Sequence, residues 1–129
     1  MTMTTTAIDP VFAAVSEHKA LIKESNRLEK SFNTAMAKAK KKHGAPTPHG
    51  WPGEATISPF YDRWNRADRA ERKAAMRMAR VEPTTIPGAA TLIVHTRREI
   101  VARSAERAED WLVTALKTAA SALTRMEAT

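Results

Sequence analysis

Four histidines, His18, His43, His49 and His95, are the only nitrogen ligands in a chain that has no cysteine. Metal chemistry would have to run through them and neighbouring carboxylates. None stands four residues from another, and no metalloprotease or finger motif can be written around them. His43 and His49 flank a proline-rich stretch with Glu54 nearby, a pattern that a surface loop explains without a metal. Hydrolysis would need a nucleophile with a base held beside it, or two carboxylates in one cleft. Here the acids mostly precede basic residues at helical spacing, as Asp62 precedes Arg66, the pattern of solvated faces and ion pairs. Gly50-Trp51-Pro52-Gly53 is not followed by Lys-Ser or Lys-Thr, so it is not a phosphate loop. These residues point to a non-enzymatic protein with no cofactor and no metal.

The basic residues are more informative. Arg66, Arg69, Lys73, Arg77 and Arg80 recur every three or four positions. At about 100° per residue they share one narrow helix face, opposite Trp64 and Met78. With Lys40, Lys41 and Lys42 they form a candidate contact for phosphates or for an acidic protein. An ordinary solvated face would carry the same pattern, and Asp62 interrupts this side. The formal net charge of +7 favours acidic partners generally. Neither a helix-turn-helix spacing nor an RNA-binding signature accompanies it.

The elements that must position these residues are all helical. Residues 1–8 read as disordered. Asp9-Pro10 then supplies an N-cap and a proline at the first helical position, opening a helix over 10–43. Val11, His18, Ser25, Phe32 and Ala39 repeat every seven residues beside Ala14, Leu21, Leu28 and Ala35, widened by Val15, Ile22 and Met36. This is a coiled-coil-like face with polar insertions. Lys38 and Lys40 to Lys42 oppose the negative end of the helix dipole, and Gly44 supplies a left-handed cap. Five prolines and glycines at 46, 48, 50, 52 and 53 make 44–58 a loop, in which Trp51 is expected to fold back onto the helices.

Ser58-Pro59 repeats the cap-then-proline signal, predicting a helix over 59–81 with Phe60, Trp64, Ala67, Ala74 and Met78 on its inner side. Glu71 falls on that same side and needs a rim position or a partner. Thr84 or Thr85 caps a third helix over 86–102, with Pro87 tolerated in its first turn. A fourth follows over 105–126, because large apolar residues vanish after Val101 and resume as Trp111, Leu112, Ala115, Leu116, Ala119, Leu123 and Met126. The break is expected near Arg103 to Arg107.

Aromatic residues make up only 5% of the chain, so close packing of Ala-rich helices, between subunits as well as within one, is expected to supply much of the core. Met76, Met78 and the other helix methionines read as adaptable core. The opening Met-Thr-Met-Thr-Thr-Thr lacks a basic segment followed by an apolar one, and the longest apolar run, Ala89 to Val94 with Thr91 inside it, cannot span a bilayer. A cytoplasmic location is expected.

Asp9-Pro10-Val11-Phe12-Ala13-Ala14-Val15-Ser16-Glu17-His18-Lys19-Ala20 resembles the opening of short uncharacterised proteins of rhizobia-like alphaproteobacteria. Pro83-Thr84-Thr85-Ile86-Pro87-Gly88-Ala89-Ala90-Thr91-Leu92 is similar to their second signature, a Pro-Thr-Thr turn before an apolar helix. The loop around Trp51 and Pro87 depart from that pattern. The resemblance implies a helical hairpin and no activity, so it assigns no functional residues.

The sequence therefore predicts an all-α protein of three to four helices, an antiparallel hairpin or bundle with coiled-coil-like packing, in one domain over 9–129. Its expected role is an interaction or assembly module that forms a homo-oligomer or binds a helical protein, with no membrane span. The alternative is a nucleic-acid-binding accessory protein using the basic face.

Overall fold

The structure, a computed structural model, describes residues 8–102 and 110–128. Those residues form four helices and no strand: α1 (Pro10–His43), α2 (Glu54–Arg80), α3 (Ile86–Ala102) and α4 (Asp110–Ala128). The expected disorder of the N-terminus and the expected break at 103–107 lie outside the described residues, save that Ile8 is described and exposed. No described helix is long and apolar enough to cross a membrane.

The helix ends follow local chemistry. Asp9 caps α1, its Oδ1 accepting from the Val11 N–H at 3.1 Å, and Pro10 occupies the first helical position. At the other end Gly44 adopts φ 76° and donates its N–H to the Lys40 carbonyl at 2.8 Å, the left-handed cap that a side chain would strain. Thr85 caps α3: its Oγ1 accepts from the Gly88 N–H at 3.0 Å.

The start of α2 departs from the expected position. The helix begins at Glu54 rather than Pro59, so the loop closes at 53 and Pro59 lies inside the helix. Pro59 is the sixth residue of the helix and has no N–H to offer the Ala55 carbonyl, so the second turn forgoes one helical hydrogen bond. Initiation comes from Gly53, whose carbonyl accepts from Thr56 and Ile57 at 3.1 Å each. A Cβ on Gly53 would lie 2.6 Å from the Trp51 ring, which covers it.

The chain divides into two compact units, residues 1–18 with 74–129 and residues 19–73. α1 has 34 residues but α3 and α4 only 17 and 19, so the shorter helices accompany one stretch of it and a second core is needed elsewhere. In unit 1 that core joins Val11 and Val15 of α1, Ala75, Met78 and Ala79 of α2, Leu92 of α3, and Trp111, Leu112, Ala115 and Ala119 of α4. Small alanines let the helices approach closely, and Thr118 donates its hydroxyl to the Ala79 carbonyl at 2.7 Å across α4 and α2.

In unit 2, α1 and α2 form an antiparallel hairpin. Phe32 stacks on Trp64 at 5.4 Å between ring centroids, with Tyr61 edge-on to both. Ser25, Ala35 and Ala39 are buried and Leu21, Leu28 and Phe32 half-buried, so the seven-residue face of α1 points inward here as in unit 1. The alanines expected to form seams between subunits are largely occupied within the chain: Ala35, Ala39, Ala74, Ala75, Ala79, Ala115, Ala119 and Ala122 are all buried.

Candidate functional site

In unit 1 the chemistry-bearing residues face inward. His18 and His95, both buried, place Nδ1 and Nε2 2.7 Å apart, and the indole of Trp111 packs edge-on against His18 at 5.1 Å. One nitrogen must donate and the other accept, so the bond holds a single proton between the rings. Two imidazolium rings could not keep it. Among the described residues no group of three His, Asp or Glu side chains is arranged to hold a metal. The dyad escaped the sequence reading because its members are 77 residues apart. Each does lie on an apolar stripe, His18 in the heptad face and His95 beside Leu92 and Thr96, which was the one legible signal.

Asp9 does more than end a helix. Its Oδ2 accepts from the backbone N–H groups of Thr84 and Thr85 at 3.0 and 2.9 Å and from the Thr85 hydroxyl at 2.7 Å. One carboxylate thus serves the N-termini of both α1 and α3, where partial positive charge favours an anion. A Cβ on Gly88 would land on Asp9 Oδ2, so the glycine makes room for the carboxylate. Burial pushes the Asp9 carboxyl up, but the Thr85 hydroxyl and the N–H groups of Val11, Thr84 and Thr85 outweigh it and hold the group below its ordinary value. The Asp9-Pro10 segment and the Thr84-Thr85 turn meet at this carboxylate.

The basic stripe is divided between the units. Arg66, Arg69 and Lys73 belong to unit 2, Arg77 and Arg80 to unit 1. All five are exposed, while Glu71, Ala74, Ala75, Met78 and Ala79 fill the opposite, buried side of α2. Glu71 is therefore inside rather than at the rim, and it is partnered there. Arg77 departs from the stripe by pairing with Glu17 at 3.1 Å. Asp62 and Arg66 remain separately solvated; the acid–base pair on this stretch of α2 is Asp68 with Arg72, at 3.0 Å.

Unit 2 also carries an open groove of about 590 Å³. Lys30, Lys38 and Lys42 of α1 rim it, Ala35 and Ala39 line its base, and Thr56 and Phe60 of α2 form the facing wall. Among the described residues no carboxylate pairs with those three lysines, nor with Arg66, Arg69 or Lys73. Lys40 and Lys41 are exposed beside the groove's end, outside its lining. Trp51 folds back onto its own loop, its ring over Gly53 and its Nε1–H donating to the Gly44 carbonyl at 3.0 Å. His43 lines the groove, whereas His49 is exposed in the loop.

Comparison of the chain with protein-family models, curated proteins and solved structures finds no match.

Proposed function

We propose that this chain is a non-enzymatic interaction module that binds an acidic partner through unit 2. The observation that carries the reading is the set of exposed cations there, Lys30, Lys38, Lys42, Arg66, Arg69 and Lys73, none of which forms an ion pair with a carboxylate among the described residues. Unpaired surface cations keep their long-range field and steer anionic partners. Two of the four histidines, His18 and His95, are instead engaged with each other inside unit 1.

Association measured against rising salt tests this reading, using a polyglutamate probe and a DNA duplex. Binding at low ionic strength that weakens steeply with salt is expected. No binding to either probe at low salt would overturn it. The regular spacing of Arg66, Arg69 and Lys73 along one exposed face favours a second reading, contact with a phosphate backbone. Under that reading the duplex binds much more tightly than polyglutamate, and the triple alanine variant at these positions flattens the salt slope.

Self-assembly draws support from a different surface. Val94, Ile100, Val101, Val113 and Leu116 of unit 1 are large, apolar and exposed. Light scattering at micromolar concentration should then exceed the 14.2 kDa of one chain; a stable monomer there removes the assembly role.

A further inference from the structure

We infer that the groove of unit 2 is a docking site for an acidic amphipathic helix of a partner protein, an inference that rests on the acidic-partner reading above. The groove follows α1 in helical register: Lys30, Lys38 and Lys42 succeed one another at one- and two-turn intervals along its rim. From Lys30 to Lys42 the rim runs about 18 Å at 1.5 Å per residue, the length of three helical turns. Below it Ala35 and Ala39, one turn apart, leave the base shallow enough for another helix to lie close.

The opposite wall exists because α2 starts early. Had the helix begun at Pro59, Thr56 would lie in the loop; with the start at Glu54, Thr56 and Phe60 stand one turn apart on the same helix and face the groove. Phe60 supplies an apolar surface, and Arg63 lies over its ring at 5.6 Å.

The size and chemistry select the occupant. A helix about 10 Å across laid along this open groove has its apolar side over Ala35, Ala39 and Phe60 and its opposite side in solvent. Its flanking carboxylates reach Lys30, Lys38 and Lys42. Arg27 lines the same groove but already holds Glu24 through two nitrogens, at 3.0 and 2.6 Å, which leaves the three lysines as the recognition set. A second copy of this chain is a poor fit, because its net charge of +7 matches the sign of the rim. A nucleic acid leaves the apolar base and wall unused.

Fluorescence anisotropy on the full chain at low salt tests this with a labelled peptide of about 16 residues, Leu on one side of its helix and Glu on the flanks. A scrambled peptide of identical composition is the comparison. The amphipathic peptide should bind about tenfold or more tightly than the scrambled one, and Lys38→Glu with Lys42→Glu should remove that advantage. Replacing Glu by Lys in the peptide should restore binding to this charge-reversed protein. Arg66→Ala with Arg69→Ala and Lys73→Ala should weaken the amphipathic and the scrambled peptide alike, leaving the ratio between their affinities unchanged.

Equal binding of the two peptides overturns the docked helix. If the alanine variant then weakens both, the acidic-partner reading survives with the α2 stripe as its surface. DNA binding without peptide binding overturns the helix in favour of a phosphate backbone, and binding only to vesicles of anionic phospholipid overturns it in favour of a membrane surface. If no acidic probe binds at all, both readings fall together. Circular dichroism of the charge-reversed variant separates loss of the site from loss of the fold, since all its changes lie on exposed side chains.

Discussion

In unit 1 the Asp9 carboxylate takes hydrogen bonds from Val11, Thr84 and Thr85, His18 and His95 bond to each other, and Thr118 closes α4 onto α2. In unit 2 Lys30, Lys38, Lys42, Arg66, Arg69 and Lys73 are exposed, and none forms an ion pair with a carboxylate among the described residues. The same chain thus directs polar groups to two ends. A buried polar group must find its partner within the protein, because leaving it unpaired costs more than the bond contributes. An exposed cation is hydrated and needs none, so it remains available to a ligand. Substitutions in unit 1 should register as stability, and substitutions on the surface of unit 2 as binding.

The largest effect is expected at Leu92, fully buried in the unit 1 core. Leu92→Ala should lose about 2–5 kcal/mol in chemical denaturation, from lost transfer energy and the cavity left behind. Leu28, half-buried in unit 2, should lose roughly 1 kcal/mol on the same change, since less apolar surface leaves water there. Equal losses would erase the contrast in packing between the two units.

Asp9→Ala comes next. Two helix N-termini lose one acceptor, at about 1 kcal/mol for each cap plus the cost of stranded N–H groups, or about 2–4 kcal/mol together. The pH dependence has a definite sign. The folded protein holds the Asp9 carboxyl below its ordinary value of 3.8, so its contribution is complete above that value and fades as the pH falls through the lower folded value. A wild-type advantage over Asp9→Ala that stays constant as acid is added, down to and below that range, would show that the charge of the carboxylate is not what stabilises the two caps.

A smaller loss is expected from the histidine pair. His95→Leu leaves His18 without this partner and should cost about 1–3 kcal/mol. The double replacement of both rings by Leu should cost less than the sum of the two single changes, the signature of direct coupling in a double-mutant cycle. Additive losses would mean that the 2.7 Å contact contributes nothing net.

Smallest of all should be the effect of Arg66→Ala, Arg69→Ala and Lys73→Ala on thermal unfolding, because these side chains are exposed and form no ion pair among the described residues. The same variant should weaken association with a DNA duplex at low salt if the α2 face contacts phosphate. A large drop in melting temperature would instead make the stripe part of the fold and collapse the distinction between a building unit and a binding unit.

Much of this was legible in the residues, and the places where it was not share a cause. The ends of α1 and the start of α3 follow from Asp9-Pro10, Gly44 and Thr85, whose capping chemistry acts within one turn of its own chain. The inner face of α1 follows from the seven-residue spacing, and the outward side of α2 from its arginines. The start of α2 was misplaced because Ser58-Pro59 carries a start signal of its own. The earlier turn depends on the Trp51 ring covering Gly53 and on the indole reaching back to the Gly44 carbonyl.

What the sequence determined by itself is therefore the all-helical content, the three cap-defined helix ends and the faces that avoid water, since each depends on neighbours within about two turns. Only the tertiary structure decided which distant groups meet. It brings Asp9 to Thr84 and Thr85, and His18 to His95, across separations of 75 to 77 residues, and it sets Thr56 and Phe60 opposite the lysines of α1. Periodicity names the side of a helix that must be covered, but any apolar surface of suitable shape can cover it. The choice among them is made by the packing of the whole chain.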